Sequence, residues 1–158
     1  SWYRRQRQMC IRDRFNRRYI MTKEILSPGD VIAIIGGGQL ARMMCFAANK
    51  LGFKTFIYSD SEDSPAFYNS SFHICDDYNN FAAIDEFCAK SKVVTFEFEN
   101  LPIETLEHIA NKLPIRPNIK SLLTSQNRIL EKRFFNDLGI KTAEVAVIES
   151  YNLSLIHI

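Results

Sequence analysis

The fold of this chain is decided by Val31-Ile32-Ala33-Ile34-Ile35-Gly36-Gly37-Gly38-Gln39-Leu40-Ala41. The first five of these residues form a continuous apolar run, which is typical of a strand that is buried on both faces of a parallel sheet. The glycines that follow, together with Ala41, match the pattern G-x-G-x-x-G/A, in which a loop joins a strand to a helix. The stretch therefore predicts the first strand, a glycine loop and the first helix of an α/β fold.

The helix predicted after the glycines has one apolar face. Apolar residues recur there at i, i+3, i+4, i+7 and i+11, a spacing that puts them on the side expected to face the core: Leu40, Met43, Met44, Ala47 and Leu51. Gly52 is the expected signal for the end of this helix.

Strand and helix patterns alternate along the rest of the chain. Strands are predicted at 54–58, 72–75 and 93–98, with a polar loop over 59–71. Helices are predicted at about 79–91, after the fourth strand, and continuously over 119–138, where Phe134 is expected in the core and Gly139 ends the helix. A further strand is predicted over 143–148. Repeated β-α-β units of this kind predict a doubly wound parallel sheet.

Composition places the chain among globular proteins. It has 158 residues, of which 46% are hydrophobic and 24% are charged, and this excludes collagen-like, disulfide-framework and disordered classes. The four cysteines include no C-x-x-C pair, so zinc is not expected, and their usage fits a cytoplasmic protein. No apolar run approaches the ~18 residues that a membrane span needs.

The two ends differ from the body. Residues 1–20 carry seven arginines and one acid, Asp13, which gives this segment a net charge of +6. Since the net charge of the whole chain is +2, residues 21–158 have a net charge of −4. An acidic body argues against a nucleic-acid surface. Met21 is the expected natural start. The run before it, which includes Gln-Met-Cys-Ile-Arg-Asp-Arg at 8–14, resembles translated adapter sequence, as does Leu-Ser-Leu-Ile-His-Ile at 153–158. Both tails, 1–20 and 151–158, are therefore expected to be foreign. The alternative is a disordered arm at the start and a frayed last strand.

The glycine loop is the strongest chemical signal in the sequence. Glycines allow the backbone to turn tightly and approach a phosphate, and the first N–H groups of the next helix can donate to it. The pattern favours an anion or a nucleotide-type ligand. The alternative is a tight turn with close packing of the helix on the sheet and no ligand.

Carboxylates follow two of the predicted strands. Asp60 ends the second strand, where a dinucleotide-binding fold places the acid that binds a ribose, although an ordinary loop acid is the alternative. Glu97 and Glu99 end the fourth strand and alternate along it, so both can lie on one side. Ligands of open α/β sheets bind at this edge, which makes Glu97 a candidate for binding ribose hydroxyls or an amine. Solvated acids at the end of a strand are the alternative.

Four motifs occur in a specific order. They are Gly-Gly-Gly-Gln-Leu-Ala-Arg-Met at 36–43, Asp-Ser-Pro-Ala at 63–66, Thr-Phe-Glu-Phe-Glu-Asn at 95–100 and Gln-Asn-Arg-Ile-Leu-Glu-Lys at 126–132. Together they resemble the N-terminal portion of the N5-carboxyaminoimidazole ribonucleotide synthase family, ATP-grasp ligases of purine biosynthesis. The family is also described as the ATPase subunit of phosphoribosylaminoimidazole carboxylase. The resemblance covers about 31–145, and Ala41 stands where many members have glycine.

The resemblance implies an architecture and a reaction. It implies a Rossmann-like pre-ATP-grasp domain over 21–117, followed over 118–150 by a helical linker and the start of an ATP-grasp domain. In the implied reaction, ATP and bicarbonate form carboxyphosphate, which carboxylates the exocyclic amine of aminoimidazole ribonucleotide. The products are N5-carboxyaminoimidazole ribonucleotide, ADP and phosphate. The family also implies a homodimer that acts on small molecules, with neither nucleic acid nor membrane as a partner.

The resemblance also implies roles for individual residues. Gly38, Gln39 and Leu40 would hold the ribonucleotide, Glu97 would contact its sugar, and Arg128 would reach the phosphates of ATP. From the residues alone, the alternative is that Arg128 is an arginine on a helix surface that pairs with Glu131 or other neighbours. The family's catalytic residues and Mg²⁺ ligands would lie beyond residue 150, so none is expected here and the chain is expected to be inactive by itself. Two other functions stay open, an NAD-dependent dehydrogenase domain and a ligand-binding module without chemistry.

Overall fold

The computed structural model of the protein describes residues 25–144. The strands are β1 (Val31–Ile35), β2 (Lys54–Ser59), β3 (Phe72–Cys75) and β4 (Val93–Phe96). The helices are α1 (Gln39–Lys50), α2 (Phe81–Ala89), α3 (Ile103–Ala110), α4 (Ile119–Gln126) and α5 (Arg128–Asp137), and a 3-10 turn spans Phe67–Asn69. The tails at 1–20 and 151–158, and most of the strand predicted over 143–148, lie outside the described residues. None of the helices in 25–144 is long and apolar enough to cross a bilayer.

The four strands form one parallel sheet in the order β3-β2-β1-β4, which confirms the predicted α/β class. The chain runs from β1 outward through β2 to β3 and then crosses back, through α2, to place β4 on the other side of β1. The strand order therefore reverses between β1 and β4. Ligands of doubly wound sheets bind at the carboxyl end of such a reversal, because the loops there leave in opposite directions and open a crevice.

Both faces of the sheet are covered. On one face, α1 packs against Ile34 and Ile57. On the other face, α2, α3 and α4 cover Ala33 and Ile35 together with the aromatic side chains of β2, and Leu122 of α4 is buried in this cluster. Burial on both faces explains why β1 is apolar at every position rather than at alternate ones.

The packing face of α1 differs from the sequence-based prediction. Its buried residues are Ala41, Cys45 and Ala48, whereas Leu40, Met43 and Leu51 are 60%, 56% and 67% exposed. Since successive residues are about 100° apart, the buried face lies about one residue's rotation from the predicted one. Small side chains allow the helix axis to lie close to the sheet, and this close packing outweighs the larger apolar area of the other face.

The continuous helix predicted over 119–138 is wrong. Asn127 has extended backbone angles, and its side-chain oxygen accepts hydrogen bonds from the N–H groups of Ile129 (2.9 Å) and Leu130 (3.2 Å). Asparagine is a favoured N-cap because its side chain satisfies the free N–H groups of a first turn. The chain therefore ends α4 and begins α5 at this residue, and Phe134 of α5, expected in the core, is 42% exposed.

Candidate functional site at the glycine loop

The glycine loop lies at the carboxyl end of β1, at the point where the strand order reverses. Gly36 takes a φ of +103°, in the left-handed region that favours glycine, and its N–H donates to the carbonyl of Tyr58 (2.8 Å). The loop ends at Gly38, which is the N-cap residue of α1 and has no side chain to cap the helix. The first N–H groups of α1 therefore need acceptors from elsewhere.

Glu97 supplies these acceptors. One oxygen of its carboxylate accepts from the N–H of Gly38 (3.0 Å), and the other accepts from the N–H of Ala41. The backbone N–H of Glu97 donates to the carbonyl of Ile35 (3.0 Å), so the residue continues the β4–β1 pairing by one position. A carboxylate at a helix N-terminus is favoured by the helix dipole. The donors that the sequence assigned to an external anion are thus bonded to an anion of the protein itself.

Each of the three glycines is required by a neighbouring side chain. A Cβ on Gly36 would lie 2.5 Å from Cγ of Glu97, and one on Gly38 would lie too close to the same carboxylate. A Cβ on Gly37 would collide with the hydroxyl of Ser64. The glycines therefore let two other segments of the chain pack directly against the loop, one on each side.

The second of these segments is the loop that follows β2. The hydroxyls of Ser64 and Ser59 are buried and lie 2.8 Å apart, and Ser64 donates to the carbonyl of Ser61 (2.6 Å). The N–H of Ala66 donates to the carbonyl of Gly37 (3.0 Å). The Asp-Ser-Pro-Ala motif thus fixes the glycine loop from the side opposite Glu97.

The charged residues that follow β2, β3 and β4 directly are all acidic. They include Asp60, Asp76, Asp77, Glu97 and Glu99. Tyr78 lies near them, and burial raises the pKa of its hydroxyl, to which the charge of Asp60 also contributes. This edge therefore offers carboxylates, hydroxyls and backbone groups. Such a set binds the hydroxyl or amine groups of a ligand and repels a phosphate.

The structure brings together only some of the predicted site residues. Gly38 and Glu97 are in contact, and Gln39 and Leu40 follow at the start of α1 with exposed side chains. Arg128 lies apart from them, as the first residue of α5. Its side chain is 80% exposed and pairs with Glu131, which is the alternative that the sequence left open.

Polar side chains also hold α2 in place. Asn80 caps α2 by accepting from the N–H of Ala83 (3.3 Å), and its amide donates to Asp76. His108 of α3 bonds to Asp85 of α2 (2.6 Å) and lies against the ring of Phe81.

Sequence reasoning missed two residues that shape the site. Ser64 was visible only as part of a motif, and nothing local indicates that its hydroxyl packs on Gly37. The side-chain amide of Gln126 donates to the carbonyls of Glu99 (2.5 Å) and Leu101 (3.0 Å), in the loop that follows Glu97. Both contacts join residues far apart in sequence, so no local pattern reports them. Within 25–144, no group of three or more potential ligands is arranged to hold a metal ion.

Comparison with known proteins gives one family over the sheet domain. The model of the ribonucleotide synthetase preATP-grasp domain matches residues 30–126. A "Bifunctional purine synthesis protein purC/E" from Dictyostelium discoideum is 43% identical over 128 residues, which is 81% of this chain and 13% of that protein.

Solved structures give the same result. N5-carboxyaminoimidazole synthetase from Staphylococcus aureus, complexed with ADP, is 32% identical with a TM-score of 0.77, and the match covers 86% of this chain and 37% of that chain. The Aspergillus clavatus synthase, in complex with ADP and 5-aminoimidazole ribonucleotide, is 28% identical with a TM-score of 0.66, and the match covers 74% of this chain and 31% of that chain. The chain therefore spans about a third of the length of these solved chains.

Proposed function

The chain belongs to the ribonucleotide synthetase preATP-grasp domain family, and from this premise we propose that it forms the first domain of an ATP-dependent carbon–nitrogen ligase. The substrate proposed is 5-aminoimidazole ribonucleotide, which is present in the Aspergillus clavatus complex. In this reaction bicarbonate attacks the γ-phosphorus of ATP to give carboxyphosphate and ADP. The exocyclic amine then attacks the carboxyl carbon, a C–N bond forms, and phosphate leaves.

The observation that carries this proposal is the Glu97 carboxylate held on the glycine loop at the β1–β4 crevice. Its two bonds to Gly38 and Ala41 fix its position before a ligand arrives, and each oxygen keeps a further acceptor site. Glu97 would accept hydrogen bonds from the ribose hydroxyls, with the exposed Gln39 and Leu40 beside it. The acidic edge would direct the phosphate of the ribonucleotide away from the loop.

We propose that ATP and Mg²⁺ bind away from the glycine loop. Arg128 is exposed at the start of α5, where it would bind phosphate oxygens of ATP once it leaves Glu131. The family resemblance implies Mg²⁺ alongside ATP, and on that ground we propose that its ligands belong to parts of such a ligase other than 25–144. We also propose that the ligase is a cytoplasmic homodimer, in keeping with the cysteine usage and the family resemblance.

The dehydrogenase alternative is disfavoured by the same carboxylate. In a dinucleotide-binding fold the pyrophosphate accepts hydrogen bonds from the N–H groups at the start of the first helix. Here Glu97 accepts from two of these groups, and its charge would repel a pyrophosphate. Asp60 follows β2, where a dinucleotide-binding fold places its ribose-binding acid, but the N–H groups that such a fold offers to the pyrophosphate are here bonded to Glu97.

The first test of this proposal is ligand binding followed by amide NMR. Adding 5-aminoimidazole ribonucleotide to the chain should shift the amides of 36–41, and Glu97→Gln should weaken binding by about tenfold because one charged hydrogen bond to a ribose hydroxyl is lost. Ser125→Ala, on the outer surface of α4, is the matched control. Shifts of the same amides by NAD⁺ in place of the ribonucleotide would contradict the proposal.

The second test concerns the ligase activity. Residues 25–144 would replace the matching third of the Staphylococcus aureus enzyme, and ADP release would be measured with and without bicarbonate and ribonucleotide. A chimera that folds and releases ADP only when both are present supports the proposal. A folded chimera that binds ATP without carboxylating the ribonucleotide argues against it. The chain alone should release no ADP.

A further inference from the structure

Gln126 links two parts of the molecule that sequence places far apart. It is the last residue of α4, and its side-chain amide donates to the carbonyls of Glu99 and Leu101, 27 and 25 residues away. A side-chain amide has two N–H groups, so one glutamine can satisfy both carbonyls at once. No other standard side chain of this size presents two such donors from one nitrogen without a charge.

The bonded carbonyls belong to the loop that carries Glu97. This loop is fixed at its start by the pairing of Glu97 with Ile35 and at its end by the buried side chain of Leu101. Between these points, Phe98 packs against the core beside Tyr78. The N–H of Leu101 donates to the carbonyl of Glu99 (2.9 Å), whereas the side chains of Glu99 and Asn100 are exposed. The amide of Gln126 adds the contact that links this stretch to α4, and Glu99 lies two residues from the carboxylate at the α1 N-terminus.

The helix break at Asn127 places Gln126 at the junction between α4 and α5. Since α4 ends at Gln126 and α5 begins at Arg128, the residue whose side chain bonds to the Glu97 loop is two positions before the start of α5. A displacement of the α4–α5 junction would act on the loop through this amide. The Gln126 side chain thus links the site loop to this junction directly, in addition to the packing of Leu122 of α4 in the core.

We propose that Gln126 is a positioning residue: it holds the Glu97 carboxylate on the glycine loop and couples that position to the junction between α4 and α5. It touches no substrate in this role. The consequence for ribonucleotide affinity rests on the proposed function, whereas the coupling between Gln126 and Glu97 is independent of it.

The coupling is tested first without a ligand, by amide hydrogen exchange. Gln126→Glu keeps the size of the side chain but replaces its donors with oxygens that repel the two carbonyls. The N–H groups of Gly38 and Ala41 donate to the Glu97 carboxylate. Their hydrogens should exchange with solvent about three- to tenfold faster, because the carboxylate is no longer held in place. The amides of Ile34 and Ile57, in the sheet centre, should be unchanged. Ser125→Ala is the control, since within 25–144 the Ser125 hydroxyl donates to the carbonyl of Leu122 in its own helix and to no part of the Glu97 loop.

The second test is a double-mutant cycle on ribonucleotide binding. Gln126→Glu should weaken binding by about tenfold in the natural background and by less than about twofold in the Glu97→Ala background, because there is then no carboxylate to position. Equal effects in both backgrounds, or unchanged exchange at Gly38 and Ala41, would overturn the inference. If the natural chain binds no ribonucleotide, the proposed function fails, and the exchange experiment still decides the coupling.

Discussion

At the residue scale, Gly38 and Glu97 depend on one another. Gly38 has a φ of −75°, which any residue can adopt, so backbone strain does not explain the glycine. The explanation is the Glu97 carboxylate, which occupies the space of a Cβ at this position. The glycine is needed because its neighbour caps the helix.

This dependence predicts the outcome of a pair of substitutions. Gly38→Ala should lower the free energy of unfolding by about 1–3 kcal/mol, as for an overpacked site. In the Glu97→Ala background, where the colliding atoms are absent, the same change should cost less than about 0.5 kcal/mol. Urea unfolding of the four proteins measures both values.

Gly29→Ala is the matched control for this pair. Gly29 has a φ of +95° and nothing within 4 Å of its Cβ position, so its cost comes from the backbone alone. That cost should be the same in both backgrounds. A Gly38→Ala cost that is also independent of Glu97 would show that the collision is not the reason for the glycine.

At the scale of the element, α1 shows how packing selects between two apolar faces. The exposed face carries the larger side chains and the buried face carries alanine and cysteine. Periodicity alone favours the larger side chains because it counts apolar area. The separation of the helix from the sheet, which favours small side chains, is set by the tertiary packing.

The two faces of α1 should therefore respond oppositely to substitution. Ala41→Met adds volume against Ile34 and Ile57 and should cost about 1–3 kcal/mol in the free energy of unfolding. Met43→Lys should change it by less than about 0.5 kcal/mol and should raise solubility, because it removes apolar surface from solvent. If Met43→Lys is the more destabilising of the two, the helix packs by the face that periodicity indicated.

The contact between α2 and α3 carries a dependence on pH. Hydrogen bonds from Lys112 and His108 hold the pKa of Asp85 below its ordinary value of 3.8. A carboxyl whose folded pKa is lowered stabilises the fold above its unfolded pKa, and this stabilisation is lost as pH falls through the folded value. The contribution is therefore present at neutral pH and absent in strong acid.

Asp85→Asn should accordingly destabilise the protein at neutral pH and have a smaller effect at about pH 2.5, which is about one unit below the ordinary carboxyl pKa. Urea unfolding at the two pH values measures both effects. Added salt should reduce the effect at pH 7 because the group is exposed. Glu86→Gln, which removes an exposed pair with Lys90 on the same helix, is the control and should show little change at either pH. An Asp85→Asn effect that grows in acid would contradict the assignment.

At the scale of the whole molecule, the thiols report on the two core layers. Cys45 is buried under α1 on one face of the sheet and Cys88 under α2 on the other, whereas Cys75 at the end of β3 is exposed. Burial raises the pKa of Cys88 to about 11 and also raises that of Cys45. The thiolate is the reactive form, so burial and a raised pKa both slow the reaction of Cys45 and Cys88. Desolvation and the neighbouring carboxylates also raise the pKa of Cys75, so its faster reaction rests on its exposure.

Thiol labelling in a Cys10→Ser background should therefore show one fast and two slow sites. The labelling is done at about pH 8, near the pKa of an ordinary thiol. Cys75 should react first, and Cys75→Ser should remove the fast phase. The slow phases of Cys45 and Cys88 should have the same rate, set by global unfolding, because the sheet separates two layers that depend on it equally. Different slow rates would show that one helical layer opens independently.

The sequence by itself determined the local features of this protein. The apolar run at 31–35, the three glycines and the strand–helix alternation predicted the parallel α/β class, and the order of four motifs predicted the family. The carboxyl edge was also predictable, since the glycine loop and Glu97 each follow a strand. These features depend on neighbouring residues and on periodicity, which are written in the chain directly.

The tertiary structure alone decided what these features contact. It placed Glu97 on the N–H groups that the sequence assigned to a ligand, Ser64 against Gly37, and the amide of Gln126 on the loop after β4. It also selected the small-residue face of α1 and ended α4 at Asn127. Each of these outcomes depends on distances between segments that are far apart in sequence, and such distances are fixed only when the sheet and its two helical layers pack together.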